Sequence, residues 1–145
     1  VHGRVNKLGV PSFVFSREEF IAGVPILEKL AEYDVCLIVL AGFMNKISDV
    51  ILQAFPGKIV NIHPALLPKY GGKGMYGMHV HEAVVKAGER ESGITIHYIN
   101  EHYDEGAIIF QASCPVLPSD TPDEVAAKVH ALEYAHYPHV IESLL

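Results

Sequence analysis

A short polar motif, Asn61-Ile62-His63-Pro64, carries two side chains that could take part in acyl-group chemistry. It ends an apolar run, residues 58–62, that predicts a buried strand. Open α/β sheets bind ligands beyond the carboxyl ends of their strands, so the motif stands where a site is expected. A carboxamide can donate a hydrogen bond to a developing oxyanion, and an imidazole can carry a proton. Asn61 and His63 are therefore candidates for acyl transfer.

A second polar group follows at Thr95, His97 and Asp104. Thr95 and His97 are two apart on a predicted strand, so they project from the same face. Asp104 lies in the turn that follows, and a carboxylate beside an imidazole would orient it or favour its charged form. Convergence of the Asn, the His and the Asp cannot be derived from the sequence. Each also fits a structural role, as a strand-end hydrogen bonder, an edge histidine and a turn former.

The elements that must position these residues alternate between strands and helices. Residues 12–15 are predicted as a short strand, and Ser16 as the cap of a helix interrupted near Gly23. Residues 35–41 are apolar at every position, which predicts a central strand covered on both faces. A helix capped by Ser48 then leads to the strand at residues 58–62. This alternation predicts a doubly wound α/β fold with a mostly parallel sheet.

The second half of the chain predicts a loop, two strands and two helices. Residues 64–78, rich in glycine and proline, form the loop, and residues 80–87 the first helix. Residues 94–99 and 107–116 predict strands joined by a polar turn. Thr121, followed by a proline and then an acid three residues after the cap, predicts the start of the last helix.

The composition limits the classes of partner. The 145 residues suffice for one domain, and 11 basic against 17 acidic side chains disfavour nucleic acid as a partner. No apolar stretch approaches the roughly 20 residues of a membrane span, so a cytoplasmic location and no membrane partner are expected. The chain opens without Met on residues that resemble the end of a helix, a glycine stop and the entry to a strand. We therefore expect an N-terminally truncated chain that lacks its first βαβ unit.

Three stretches resemble, in order, the motifs of the folate-dependent formyltransferases: residues 40–44 (LAGFM), residues 61–70 (NIHPALLPKY), and the segment from His97 through Asp104-Glu105-Gly106. The Lys69-Tyr70 ending favours the phosphoribosylglycinamide branch of that family. The resemblance implies a single formyltransferase catalytic domain over residues 1–145, with a Rossmann-like fold. It further implies transfer of a formyl group from the cosubstrate 10-formyltetrahydrofolate to the amine of glycinamide ribonucleotide, in purine biosynthesis and without a metal.

The resemblance also assigns roles to residues. It implies that Asn61 polarises the formyl oxygen, that His63 donates a proton and that Asp104 raises the pKa of His63, with Thr95 and His97 supporting Asp104. The implied folate-binding residues are Arg17, Met44, Asn45, Lys46, Ile47, Asn61, Asn100, Glu101, His102, Tyr103 and Asp104. The implied substrate-binding residues are His130, Ala131, Leu132 and Glu133. The family often has Arg where Asn45 stands, so only a backbone contact is expected there.

Several alternatives stay open. A formyltetrahydrofolate deformylase would share the three central residues, and a non-catalytic folate-binding remnant could retain them, whereas methionyl-tRNA formyltransferase would require a basic C-terminal domain. The pair His79 and His81 suggests half a metal site without a third ligand, and residues 71–74 (GGKG) lack the spacing of a phosphate-binding loop. The expected partners are the two small molecules, with the chain acting as a monomer or a homodimer.

Overall fold

The computed structural model describes residues 2–102 and 105–145, with only the backbone of His2. In chain order the elements are α1 His2–Lys7, α2 Arg17–Ala22, α3 Val24–Glu32, β1 Ile38–Leu40, α4 Asp49–Ala54, β2 Ile59–His63, α5 Met78–Lys86, β3 Glu91–Tyr98, β4 Ile108–Pro115 and α6 Pro122–Leu144. No helix in these two ranges is both long and apolar enough to cross a membrane.

Two helices begin at the capping boxes that the sequence predicts. The Ser16 hydroxyl accepts from the Glu19 N–H, and the Glu19 carboxylate accepts from the Ser16 N–H, at the start of α2. Thr121 and Glu124 make the same reciprocal pair at the start of α6. Each box satisfies backbone donors that the first helical turn leaves without an intrahelical partner. The predicted interruption near Gly23 is also observed, because that glycine adopts a left-handed φ of 77° between α2 and α3.

The four strands form one sheet in the order β1-β2-β3-β4. Strands β1 and β2 are parallel, whereas β2 with β3 and β3 with β4 are antiparallel. The connection of the last pair, residues 99–107, is shorter than the crossover that parallel pairing needs, so these strands pair antiparallel. Helices cover both faces of this open sheet, so the predicted α/β class of Rossmann-like type is confirmed, with the parallel pairing located at β1 and β2.

Two strand predictions in the first half need correction. Residues 12–15 form no strand, because an apolar stretch becomes a strand only where a neighbouring backbone completes its hydrogen bonds. The strand predicted over residues 35–41 is reduced to β1, which stands at the edge of the described sheet. Val39 at its centre is 38% exposed, so β1 is not covered on both faces.

The core has two parts, one on each face of the sheet. Ile62 of β2 and Ile94 and Ile96 of β3 pack with apolar residues of α5 and α6. Ile59 of β2 packs instead with Ile51 and with residues of α3. Since neighbouring residues of a strand point to opposite faces, this division leaves Asn61 and His63 on the face of Ile59. The polar pair thus projects from the face of β2 opposite Ile62.

Candidate active site

The pairing of β2 with β3 assembles a polar patch from residues far apart in sequence. Asn61 lies directly opposite His97, and His63 lies directly opposite Thr95. Directly opposed residues of antiparallel strands have side chains on the same face and in contact range. The structure therefore brings together four of the residues that the sequence singles out.

The contact between Asn61 and His97 orders both side chains. His97 is fully buried, and its Nδ1 lies 3.1 Å from the carbonyl oxygen of Tyr98. Because a carbonyl only accepts, Nδ1 carries the hydrogen, and Nε2 is left to accept from the Asn61 carboxamide nitrogen at 3.4 Å. The Asn61 carboxamide is thereby oriented by a histidine that stays outside the cavity.

His63 is held by the loop that follows its own strand. Its side chain is 3% exposed, and Nε2 lies 2.7 Å from the carbonyl oxygen of Tyr70. By the same reasoning Nε2 carries a hydrogen and donates it to that carbonyl. The ring that could carry a proton is therefore fixed in plane by a backbone acceptor.

Thr95 holds the loop that follows His63, and its predicted support of Asp104 stays a prediction. Its hydroxyl donates to the Ala65 carbonyl at 2.7 Å and accepts from the Leu67 N–H at 3.0 Å and from Gln111 Nε2 at 2.9 Å. The one donor and two acceptor positions of this hydroxyl are thus all used. The loop after His63 folds back over β3, and its buried backbone groups need partners there. Thr95 supports this loop, and Asp104 lies outside the described residues.

Beside Asn61 and His63 lies a cavity of about 750 Å³, within the size range of small-molecule sites. Most of the predicted binding residues line it, from three separate segments of the chain. These are Met44, Asn45, Lys46 and Ile47 after β1, Asn100, Glu101 and His102 after β3, and His130 and Glu133 on α6. The glycine-rich loop, residues 72–77, covers another side. Elements that the sequence predicts separately thus converge on one concave surface.

Some predicted binding residues do not line the cavity. Arg17 is exposed at the start of α2 and is not among the lining residues. Ala131 and Leu132 belong to the predicted substrate segment, but α6 turns them away, and Leu132 packs on the core instead. With 3.6 residues per turn, a helix cannot present four consecutive residues to one cavity. Tyr103 lies, like Asp104, outside the described residues.

Among the lining residues that sequence reasoning missed are two buried polar side chains. Tyr137, one further turn along α6 from Glu133, is buried and donates its hydroxyl hydrogen to the Leu40 carbonyl at 2.7 Å. Its helical spacing of seven from His130 could have revealed it. His81 of α5 is 2% exposed and also lines the cavity, although the sequence suggested only half a metal site there. His79 beside it is exposed, because residues two apart on a helix do not share a face.

Burial shifts the pKa values of three groups that line the cavity. It raises the pKa of Glu133, with the positive charge of His130 opposing the effect. It also lowers the pKa of His81, helped by the positive charges of His130 and His63. Burial raises the pKa of Tyr137, with Glu133 adding to the effect, so the phenol stays protonated. Across residues 2–102 and 105–145, no group of three or more His, Cys, Asp or Glu side chains is arranged to hold a metal ion.

Comparison with known proteins identifies the family. Residues 2–141 match the family model described as formyl transferase. The chain is 41% identical over 141 residues to the chloroplastic phosphoribosylglycinamide formyltransferase of Arabidopsis thaliana, covering 94% of this chain but 48% of the plant protein. It is 38% identical to the phosphoribosylglycinamide formyltransferase of Bacillus subtilis strain 168, covering 98% of this chain and 72% of the relative. The chain thus spans about half of the length of its plant relative.

Solved structures agree with the sequence relatives. Phosphoribosylglycinamide formyltransferase from Streptococcus pneumoniae superposes with a TM-score of 0.88 at 37% identity, over 99% of this chain and 79% of that one. Glycinamide ribonucleotide transformylase 1 from Geobacillus kaustophilus gives a TM-score of 0.90 at 36% identity, over 100% and 77%. The chain therefore belongs to the formyl transferase family, in which these named relatives are phosphoribosylglycinamide formyltransferases.

Proposed function

We propose that this chain carries the catalytic centre of a phosphoribosylglycinamide formyltransferase. It would move a formyl group from 10-formyltetrahydrofolate to the primary amine of glycinamide ribonucleotide. The observation that supports this most is the placing of Asn61 and His63 side by side on β2, both against the cavity. A donor for an oxyanion and a proton carrier meet there at a site large enough for a small-molecule ligand.

The proposed reaction is an acyl transfer through a tetrahedral intermediate. The amine nitrogen of the substrate bonds to the formyl carbon, and the formyl oxygen takes up the negative charge. Asn61 has a second amide hydrogen besides the one directed at His97, and it donates this hydrogen to the oxygen. The bond between the formyl carbon and folate N10 then breaks, the former amine loses a proton, and N10 gains one. His63 carries the proton in this exchange, and Asp104 is proposed to favour its charged form.

The two ligands would enter the cavity from different sides. The segments with Met44, Asn45, Lys46 and Ile47 and with Asn100, Glu101 and His102 form the proposed folate side. His130 and Glu133 on α6 form the proposed side for the ribonucleotide, where the Glu133 carboxyl can accept hydrogen bonds from ribose hydroxyls or from the glycinamide. Arg17 remains a proposed contact for the glutamate tail of the folate, which extends out of the site.

Other features of the complete enzyme are also proposals. The free edge of β1 in the described sheet supports a further βαβ unit beside it. In the family that the sequence resembles, that unit binds the substrate phosphate at a helix N-terminus. A cytoplasmic location and a monomer or homodimer remain predictions, and the plant relative is named as chloroplastic.

The test is a formyl-transfer assay on the full-length protein. Product formation from 10-formyltetrahydrofolate is followed with and without glycinamide ribonucleotide, for the wild type and for Asn61→Ala, His63→Ala and the control His139→Ala. We expect turnover to require the amine, and Asn61→Ala to lose roughly 10²- to 10³-fold in rate, as oxyanion donors do. His139 is exposed on α6 and does not line the cavity, so His139→Ala should behave as wild type.

Three results would contradict the proposal. Product formation without the amine would indicate a deformylase, and absence of turnover in the wild type would indicate a binding protein. Wild-type rates in His63→Ala would remove His63 from the mechanism.

A further inference from the structure

A cluster of three polar groups lies outside the cavity, between the loop after β2 and the turn after α5. Lys69 Nζ lies 3.2 Å from Glu89 Oε1, and the Tyr70 hydroxyl donates to the same oxygen at 3.0 Å. These two hydrogen bonds lower the pKa of Glu89, so its carboxylate is the charged anchor of the loop. The formyl-transfer mechanism does not by itself require any of these three side chains.

The backbone of Tyr70 is unusual at this anchor. Its φ of 56° is left-handed, which is unfavourable for a residue with a Cβ atom. Such a conformation persists where the surrounding contacts determine it strongly. Here the hydroxyl is held by Glu89, and the ring packs against the core cluster that contains Ile62. The anchoring of the side chain therefore maintains the backbone conformation.

That conformation has a consequence for His63. The carbonyl that Tyr70 presents is the acceptor 2.7 Å from His63 Nε2. We propose that Glu89 and Tyr70 form a positioning clamp for His63, in which the anchored Tyr70 backbone keeps a hydrogen on Nε2 and fixes the plane of the ring. Lys69 strengthens the clamp by holding Glu89. The effect on turnover rests on the function proposed above, whereas the effect on the ring of His63 does not.

The first test observes the ring directly. ¹⁵N NMR of the histidine rings gives the tautomer of His63 in the unliganded full-length protein, for wild type, Tyr70→Phe, Glu89→Gln and the control Glu82→Gln. Tyr70→Phe retains the packed ring and removes only the hydroxyl. We expect the wild type to show neutral His63 as the Nε2–H tautomer. Glu82→Gln should show the same tautomer, because Glu82 is exposed on α5. Tyr70→Phe and Glu89→Gln should both show a mixture of tautomers.

The second test separates positioning from general loss of structure. In the formyl-transfer assay we expect kcat of Tyr70→Phe and Glu89→Gln to fall roughly 10- to 100-fold, as for a misplaced catalytic group, with KM almost unchanged. Glu89→Asp, which restores a carboxylate, should recover part of the loss.

An unchanged His63 tautomer in both clamp variants would overturn the inference, as would a change of equal size in Glu82→Gln. Should the wild type lack turnover, the NMR comparison still decides the inference, so its failure is distinguishable from failure of the proposed function.

Discussion

Replacing Thr95 by valine tests the assigned support of the loop after His63. Valine matches threonine in shape but removes the hydroxyl that serves the Ala65 carbonyl and the Leu67 N–H. Thr95 is fully buried, and Ala65 and Leu67 are 1% and 6% exposed, so water cannot replace the lost bonds without rearrangement. Each buried backbone group left without a partner costs roughly 1–3 kcal/mol. Two such groups predict a loss of about 3 kcal/mol in the free energy of unfolding. Gln111 keeps a partner, because it also donates to the Leu67 carbonyl.

The assay is urea unfolding followed by circular dichroism, with Thr95→Ser as the matched control. Serine retains the hydroxyl and loses only a methyl group, so its free energy of unfolding should stay well above that of Thr95→Val. A loss of about 3 kcal/mol corresponds to a fall in Tm of roughly 10 °C for a domain of this size. A Thr95→Val protein within about 0.5 kcal/mol of wild type, which is the range of ordinary surface substitutions, would refute the reasoning.

Two further predictions concern α6 and the turn that precedes it. Thr121→Ala removes the capping hydroxyl and should lower the free energy of unfolding by about 1 kcal/mol in the same urea assay, whereas Thr121→Ser should be neutral. A hydrogen bond from Lys128, and a second from the Leu117 N–H, lower the pKa of Asp120 in the folded state. A carboxyl whose pKa is lowered by folding stabilises the folded state at pH values above its pKa in the unfolded chain, about 3.9. This contribution is lost as the pH falls through the pKa of the folded state. Asp120→Asn should therefore destabilise the protein at pH 7, and the difference from wild type should shrink below about pH 4; an equal difference at pH 7 and pH 3 would exclude this linkage.

The sequence predicted those features of the fold that depend on neighbouring residues. The capping residues Ser16 and Thr121 start helices where expected, because each pairs with a glutamate three positions on. The apolar run before Asn61 and His63 likewise predicted the strand at whose carboxyl end they lie. The family resemblance then supplied the proposed ligands, which no local pattern contains.

Other features depended on the packing of distant segments. The pairing register of β2 and β3 placed His97 opposite Asn61, 36 residues away. It also placed the Thr95 hydroxyl in contact with a loop about 30 residues earlier in the chain. The apolar run around β1 predicted burial on both faces, but burial depends on which strands and helices lie alongside, and β1 stands at the edge of the described sheet. The carbonyl that holds His63 comes from a left-handed Tyr70, a conformation that its distant anchor at Glu89 maintains. Patterns within a few residues fix periodicity and caps, whereas pairing partners far along the chain are selected by the free energy of the whole packed arrangement.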